Sequence, residues 1–254
     1  MQLRIAHLYP EIMNIYGDRG NIIALCQRCA WRGIKATITR ISLNQNFDPQ
    51  KYDLIFGGGG QNRQQLLVAK DLQKKKKAIK EAVGRGKVFL LICGTYQLFG
   101  RYFKTDENKK IPGIGVLDMI TIASHQRKIG NVLVRLQGAR LQEIRLQNYK
   151  KDEYLIGFEN HSGNSFIDTH SKTKPLAKVI KGFGNNGRDK TEGAVYQNVF
   201  GTYLHGSLLP KNPHFADYLI KTALEISYKK PVKLKSLDDS LEWQAHQTTA
   251  DLIK

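Results

Sequence analysis

The chain has 254 residues, of which 41% are hydrophobic and 24% charged, and its formal net charge is +18 at pH 7. This composition is typical of a globular protein and excludes a fibrous or disordered chain. The sequence contains no apolar run of about 18 residues and no secretory signal, and its three cysteines are too few for a disulfide framework, so we predict a cytoplasmic protein.

Short apolar runs alternate with helical patterns in the first part of the chain. The strands are predicted at LRIAHL, IKATITRI, YDLIF and KVFLLIC. One helix is predicted from Asn21, as its cap, to about Arg32, and another from about Gln61 to Arg85. This order predicts an α/β fold with a parallel sheet covered on both faces, whose carboxyl edge carries the functional loops.

Two cysteines, Cys26 and Cys29, lie in the first predicted helix. Neighbouring apolar residues recur at helical spacing, and no second pair of ligands accompanies the C-x-x-C. We therefore interpret both thiols as packing residues rather than as a zinc or redox site, and no metal is expected.

The run from Lys74 to Lys77 concentrates positive charge in the second predicted helix. No helix-turn-helix, zinc-finger or RNA-binding motif accompanies it, so we interpret the run as a solvated helical face and expect no nucleic acid partner. An anionic membrane surface and an acidic partner subunit both remain compatible with the charge.

The chain changes character from about Lys104 to Gly193, where VLVRLQ, EYLIGFEN and LAKVIKGFG predict antiparallel strands. YQNVFGTYLHG then predicts a strand that ends at His205, and Asn212-Pro213 predicts the start of a helix to about Ser227. We predict one domain over residues 1–228, and a basic tail with a short helix over residues 229–254.

The chemistry-bearing residues concentrate at strand ends. Cys93 follows a wholly apolar strand and precedes Gly94, a strand-to-helix turn that favours a thiolate. The backbone N–H of Gly94, with one from the glycine run at Gly58 or Gly59, is predicted to form an oxyanion hole. Among seven histidines, His205 is the best placed base, because it ends an apolar strand and precedes a glycine.

These residues resemble the class I glutamine amidotransferases of the cobyric-acid-synthase-like (CobB/CobQ-like) type. Five segments in this order most resemble the amidotransferase subunits of lipid II isoglutaminyl synthases, the GatD type, over about residues 3 to 228: YGDRGNIIAL, GGGGQNRQQ, LLICGTYQLFG, GFENHSG and FGTYLHGSLLPKNP. The resemblance implies a flavodoxin-like three-layer fold with a mostly parallel central sheet and an antiparallel addition.

The resemblance also implies roles. Cys93 would be the nucleophile that hydrolyses glutamine through a thioester, His205 the base, Gly58 an oxyanion glycine, and Arg127 a ligand of the glutamine carboxylate. Ammonia would pass to a Mur-ligase-like synthetase subunit in a heterodimer, which amidates D-glutamate of lipid II to D-isoglutamine for peptidoglycan. No cofactor is expected in this chain, which lacks a phosphate-binding G-x-x-x-x-G-K-[ST] loop, and ATP and Mg²⁺ are expected on the partner.

Two positions depart from the family pattern. Most class I enzymes carry a Glu two residues after the histidine, where this chain has Ser207. The resemblance implies that a carboxylate of the partner completes the triad, which would make the isolated chain weakly active. Thr95 replaces a common glycine, and its β-branched side chain is expected to constrain the backbone beside the oxyanion amide.

Two further polar pairs are not part of the predicted site. Asp18 and Arg19 lie near the first strand end, but a salt bridge at the start of the helix explains them equally well. Glu159 and His161 are interpreted as residues of loop structure.

Other functions remain open at this stage. An amidotransferase that serves a corrinoid-type synthetase would show the same cysteine and histidine. A non-catalytic basic scaffold would retain the fold without turnover, although the intact Cys93 and His205 argue against it. A cysteine peptidase of similar fold would normally carry its own third group near the histidine.

Overall fold

The computed structural model describes residues 1–137 and 153–253. The elements are β1 (Gln2–Leu8), α1 (Arg19–Ala30), β2 (Lys35–Ile41), β3 (Leu54–Gly57), α2 (Asn62–Gly84), β4 (Val88–Ile92), α3 (Gly94–Phe99), β5 (Tyr102–Lys104), β6 (Lys110–Pro112), β7 (Met119–Leu136), β8 (Tyr154–Ile167), β9 (Ala177–Lys181), β10 (Thr191–Glu192), β11 (Ala194–Tyr196), β12 (Val199–Thr202), α4 (Pro213–Tyr228) and α5 (Ser240–Asp251). Short 3-10 helices cover Pro49–Lys51 and Leu209–Lys211.

The first sheet has the strand order β11-β12-β4-β3-β1-β2. Every neighbouring pair is parallel except β11 and β12. Helix α1 connects β1 to the outer strand β2, whereas α2 connects β3 to β4 in the opposite direction, so right-handed crossovers place the two helices on opposite faces. Strands β3 and β4 are buried at every residue, as central parallel strands must be when both faces are covered. The predicted α/β class is thus confirmed.

The second sheet corresponds to the predicted antiparallel addition, except that its strands β5 and β7 are parallel. Its strand order is β10-β9-β7-β5-β6, and β8 pairs with β7 in a long antiparallel ribbon. The register of this ribbon shifts between Ala123 and Lys128. Such an irregularity bends a strand and redirects its side chains.

Two local expectations were wrong. Asn21 lies inside α1 rather than at its cap, and its side-chain oxygen accepts a hydrogen bond from the Leu209 N–H at 2.9 Å. The segment expected as one strand ending at His205 is a hairpin of β11 and β12, with Gln197 at a positive φ of 52°. Strand β12 ends at Thr202, so His205 lies in the following loop.

The last 26 residues pack against the rest of the chain as far as residue 253. Arg28 of α1 is buried and donates hydrogen bonds both to Asp217 of α4, at 2.6 and 2.8 Å, and to Asp239, at 2.6 and 2.9 Å. The Trp243 ring of α5 stacks on His214 of α4. These contacts attach the C-terminal segment to helices α1 and α4. The domain division at residue 228 stays a prediction.

In the ranges 1–137 and 153–253, none of the helices combines the length and the apolar character needed to cross a membrane.

Candidate active site

Cys93 lies at the turn between β4 and α3. Its backbone has φ 46° and ψ −102°, a conformation that is rare and strained for a residue with a side chain. Hydrogen bonds hold it there: the Cys93 N–H donates to the Thr202 carbonyl at 2.8 Å, and the Gln97 N–H donates to the Cys93 carbonyl at 2.9 Å. A strained strand-to-helix turn of this kind is typical of nucleophiles presented above a parallel sheet.

His205 lies beside this turn because β12 is the parallel neighbour of β4. Ile92 pairs with Thr202, so the two predicted catalytic residues follow adjacent strand ends on the carboxyl edge of the sheet. The His205 backbone forms an isolated bridge with Phe158 of β8, through hydrogen bonds of 2.8 and 3.2 Å. The antiparallel sheet therefore helps to position the predicted base.

The His205 ring is fully buried, and its two nitrogens have different surroundings. Nδ1 lies 3.0 Å from Oδ1 of Asp18, whereas Nε2 is buried without a hydrogen bond to any described residue. Burial lowers the pKa of His205, but the charges of Cys93 and Asp18 and hydrogen bonding outweigh it and raise the pKa to about 10. His205 therefore favours its imidazolium form beside Cys93, as expected for the acid and base of a cysteine and histidine pair.

Asp18 lies at the site although it is absent from the residues that the sequence predicted. It lies in the loop before α1, is fully buried, and is 187 positions from His205 in the chain. The resemblance implies a carboxylate from the partner subunit, whereas in this structure a carboxylate from the first βα loop contacts the histidine. The position of Asp18 at the carboxyl edge of β1 was the signal that could have identified it.

The glycine run Gly57–Gly60 follows β3 and lies against the turn at Cys93. The Gly59 N–H donates to Oδ2 of Asp18 at 2.7 Å, so this amide is not free for an oxyanion. Gly58 and Gly94 remain the predicted oxyanion donors. Both must be glycines: a Cβ on Gly58 would lie 2.4 Å from the Met13 carbonyl oxygen, and one on Gly94 would lie 2.9 Å from the Gly60 nitrogen.

Thr95 connects the start of α3 to the glycine run after β3. Its hydroxyl donates to the Gly58 carbonyl at 2.6 Å, and its N–H points to the same oxygen at 3.4 Å. The β-branched residue thus fastens the glycine run to the start of α3. A glycine in its place would lack the hydroxyl that makes this contact.

Arg127 lies at the rim of the site, in the irregular stretch of β7. Its Nε donates to Oδ1 of Asn160 at 2.6 Å, and Nη2 donates to the Tyr16 hydroxyl at 2.6 Å. The Tyr16 ring in turn packs edge-on against His205, with 5.1 Å between ring centroids. An exposed guanidinium is therefore held one aromatic ring away from the predicted base. Tyr16 and Asn160, which hold it there, carry no signal in the sequence pattern.

His161 and Glu159 lie within strand β8 and not in the loop that the sequence predicted, and both have structural contacts. The His161 ring stacks on Tyr203 at 3.6 Å between centroids, and burial lowers its pKa. Glu159 accepts hydrogen bonds from the Phe183 and Gly184 N–H groups at 2.7 and 2.9 Å. These contacts support the loop around residues 183–184.

The cysteines of α1 lie apart from this turn. Cys29 is buried in the hydrophobic core, and burial raises its pKa to about 12. Its thiol is therefore neutral at physiological pH, which supports the interpretation of Cys29 as a packing residue.

The sequence matches one domain family and is similar to two named relatives over nearly its whole length. Residues 4–213 match the CobB/CobQ-like glutamine amidotransferase domain. The chain is 38% identical over 252 residues to the lipid II isoglutaminyl synthase (glutamine-hydrolyzing) subunit GatD of Streptococcus pneumoniae, covering 99% of this chain and 92% of the relative. It is 37% identical over 254 residues to the subunit of the same name from Staphylococcus aureus, covering 98% and 96%.

Solved structures share the fold at low identity. The structure of PurLQS from Thermotoga maritima matches with a TM-score of 0.59 and 18% identity, covering 91% of this chain and 100% of that one. A glutamine amidotransferase from Thermotoga maritima matches with a TM-score of 0.51 and 15% identity, covering 98% and 94%. These likenesses bear on the fold alone.

Proposed function

The chain belongs to the CobB/CobQ-like glutamine amidotransferase family, and from this premise we propose that it is the glutamine-hydrolysing subunit of a lipid II isoglutaminyl synthase. Two relatives that carry this name are 38% and 37% identical over nearly the whole chain. The observation that carries the proposal is the pair Cys93 and His205 on adjacent strand ends, with the histidine ring held by a buried carboxylate.

The pair accounts for hydrolysis of a carboxamide in two steps. The Cys93 thiolate attacks the side-chain carbonyl carbon of glutamine, the oxyanion lies against the Gly58 and Gly94 amides, and His205 gives its proton to the leaving nitrogen. Ammonia departs and leaves a glutamyl thioester. The neutral His205 then takes a proton from water, and the resulting hydroxide cleaves the thioester to glutamate and restores the thiolate and the imidazolium.

Arg127 suits the α-carboxylate of the substrate. A guanidinium offers two parallel N–H donors to a carboxylate, and the Tyr16 and Asn160 contacts hold this one at the rim of the site. Its position next to the ring that packs on His205 would place the substrate side chain toward Cys93.

A glutaminase subunit requires a partner that uses the ammonia. The relatives are named as subunits, which implies a second subunit, and we propose a Mur-ligase-like synthetase in a heterodimer. ATP and Mg²⁺ would bind there to activate the D-glutamate carboxyl of lipid II, and the product would be D-isoglutamine in the peptidoglycan precursor. The chain would work in the cytoplasm, and its net charge of +18 suits a peripheral position at the anionic inner face of the membrane.

Glutamate release from glutamine tests the proposal. Wild type, Cys93→Ala and the control Cys26→Ala, which removes a thiol outside the site, are assayed alone and with the co-expressed synthetase subunit. We expect release by wild type and Cys26→Ala, more of it with the partner, and none by Cys93→Ala. Equal release by Cys93→Ala, or none by any variant with the partner, would refute the proposal.

A further inference from the structure

A single carboxylate connects two parts of the site. Oδ1 of Asp18 lies 3.0 Å from Nδ1 of His205, and Oδ2 accepts the Gly59 N–H at 2.7 Å. Asp18 is fully buried, and within residues 1–137 and 153–253 its only ion pair is with His205. Burying a carboxylate with so few partners costs free energy unless its contacts are well formed. The burial of Asp18 therefore suggests a functional role.

The segment after His205 explains why the acid comes from elsewhere. Ser207 occupies the position of the usual glutamate, and its hydroxyl donates to the Gly17 carbonyl at 2.6 Å. A Cβ on Gly20 would lie 2.0 Å from that hydroxyl oxygen, so the two loops are in close contact. The loop after His205, which carries Ser207 instead of a glutamate, therefore holds the Asp18 loop in place through this hydrogen bond.

We propose that Asp18 is the positioning residue of His205, so that the carboxylate of the hydrolytic triad belongs to this chain and not to the partner subunit. The inference rests on the proposed glutaminase activity. With Asp18 as acceptor, neutral His205 keeps its proton on Nδ1 and turns the Nε2 lone pair toward Cys93. After proton transfer, the same carboxylate stabilises the imidazolium.

The Gly59 amide fixes the orientation of the Asp18 carboxylate. It donates to Oδ2 and so fixes which oxygen of Asp18 faces the histidine. In Asp18→Asn the Gly59 N–H still requires an acceptor, so the carboxamide oxygen turns toward Gly59 and the NH₂ group toward Nδ1. His205 must then accept at Nδ1 and carry its proton on Nε2, the tautomer that cannot deprotonate the thiol.

Kinetics of the complex with the co-expressed synthetase subunit test the role. Asp18→Asn is expected to lower kcat for glutamate release by about 10³- to 10⁴-fold, as wrong-tautomer variants of serine triads do. The KM for glutamine should stay within about threefold, because the carboxylate of Asp18 contacts His205 and the Gly59 amide and acts through the histidine. The matched control is Asp53→Asn, another buried aspartate whose carboxylate pairs with Arg4, and it should keep the wild-type kcat. A loss of less than a hundredfold in a folded Asp18→Asn complex would overturn the inference, because a partner carboxylate would then suffice.

A second measurement does not depend on the folding of an Asp18 variant. In Cys93→Ala, ¹⁵N-NMR of labelled histidine reports the tautomer of neutral His205 at high pH. A proton on Nδ1 supports Asp18 as the acceptor, and a proton on Nε2 overturns it. This readout also separates the two proposals, since a wild-type complex without Cys93-dependent glutamate release would refute the glutaminase function, while the tautomer would still decide the role of Asp18.

Discussion

Adding one methyl group at Gly59 should move the predicted base without altering any charge. A Cβ built on Gly59 lies 2.8 Å from Cε1 of His205, 3.1 Å from Cγ1 of Ile15 and 3.2 Å from Oδ2 of Asp18. Ordinary contacts of this kind begin near 3.4 Å, so the His205 ring in Gly59→Ala must retreat by about 0.6 Å or turn. The backbone φ of Gly59 does not lie in the left-handed region, so an alanine there causes no backbone strain and the effect is steric.

The expected cost follows from the tolerance of catalytic geometry. A misplacement of about 1 Å costs roughly 100-fold in rate, so a shift of about 0.6 Å should lower kcat by about 10- to 100-fold. The assay is steady-state glutamate release by the complex with the co-expressed synthetase subunit, with thermal unfolding to verify that the variant is folded.

Gly84→Ala is the matched control for this variant. No atom lies within 4 Å of a Cβ on Gly84, which is the last residue of α2. It should keep the wild-type kcat and raise the free energy of unfolding by no more than about 1 kcal/mol. A folded Gly59→Ala enzyme with kcat within threefold of wild type would show that the His205 ring is not held as tightly as its contacts indicate.

Three further predictions concern substrate binding and stability. Arg127→Gln should raise the KM for glutamine by roughly 10- to 100-fold with a smaller change in kcat, because a charged hydrogen-bond donor is lost, and an unchanged KM would remove Arg127 from the binding site. Arg28→Met should lower the free energy of unfolding in guanidinium by about 3–5 kcal/mol, because Asp239 loses its buried guanidinium partner and Asp217 keeps only its pair with Arg32 among the described residues. A loss below about 1 kcal/mol would contradict this. Burial lowers the pKa of His214 to about 3, so folding disfavours its protonation and wild type should lose about 2 kcal/mol of stability between pH 7.5 and 5 through this residue. In His214→Gln that part of the pH dependence should be absent, and identical pH profiles of the two proteins would refute the assignment.

The sequence predicted the features that depend on local pattern. Wholly apolar runs predicted the buried strands β3 and β4, and alternating stretches predicted the antiparallel ribbon of β7 and β8. The predicted nucleophile and base lie near each other because both follow strands of the same parallel sheet. Cys93 and His205 each come shortly after a strand, and strands of one parallel sheet end on one edge.

The remaining features depend on contacts between distant parts of the chain. The sequence position of Asp18 fits a salt bridge at the helix start equally well, and only the packing of the first loop on the loop after β12 brings it to His205. Asn21 has the residue type of a helix cap, but its side chain instead bonds the Leu209 backbone. Arg127 lies beside Tyr16 in a stretch of β7 where the strand register is irregular, and the residue pattern does not predict this irregularity.

The bridge between His205 and Phe158 has a consequence for grafting experiments. Phe158 belongs to β8 of the antiparallel sheet, yet its backbone carries the loop of the predicted base. Exchanging the second sheet between relatives would therefore also exchange one wall of the predicted active site. A chimera should transfer β8 and the segment 202–208 together as one cassette, so that both sides of the bridge come from the same parent.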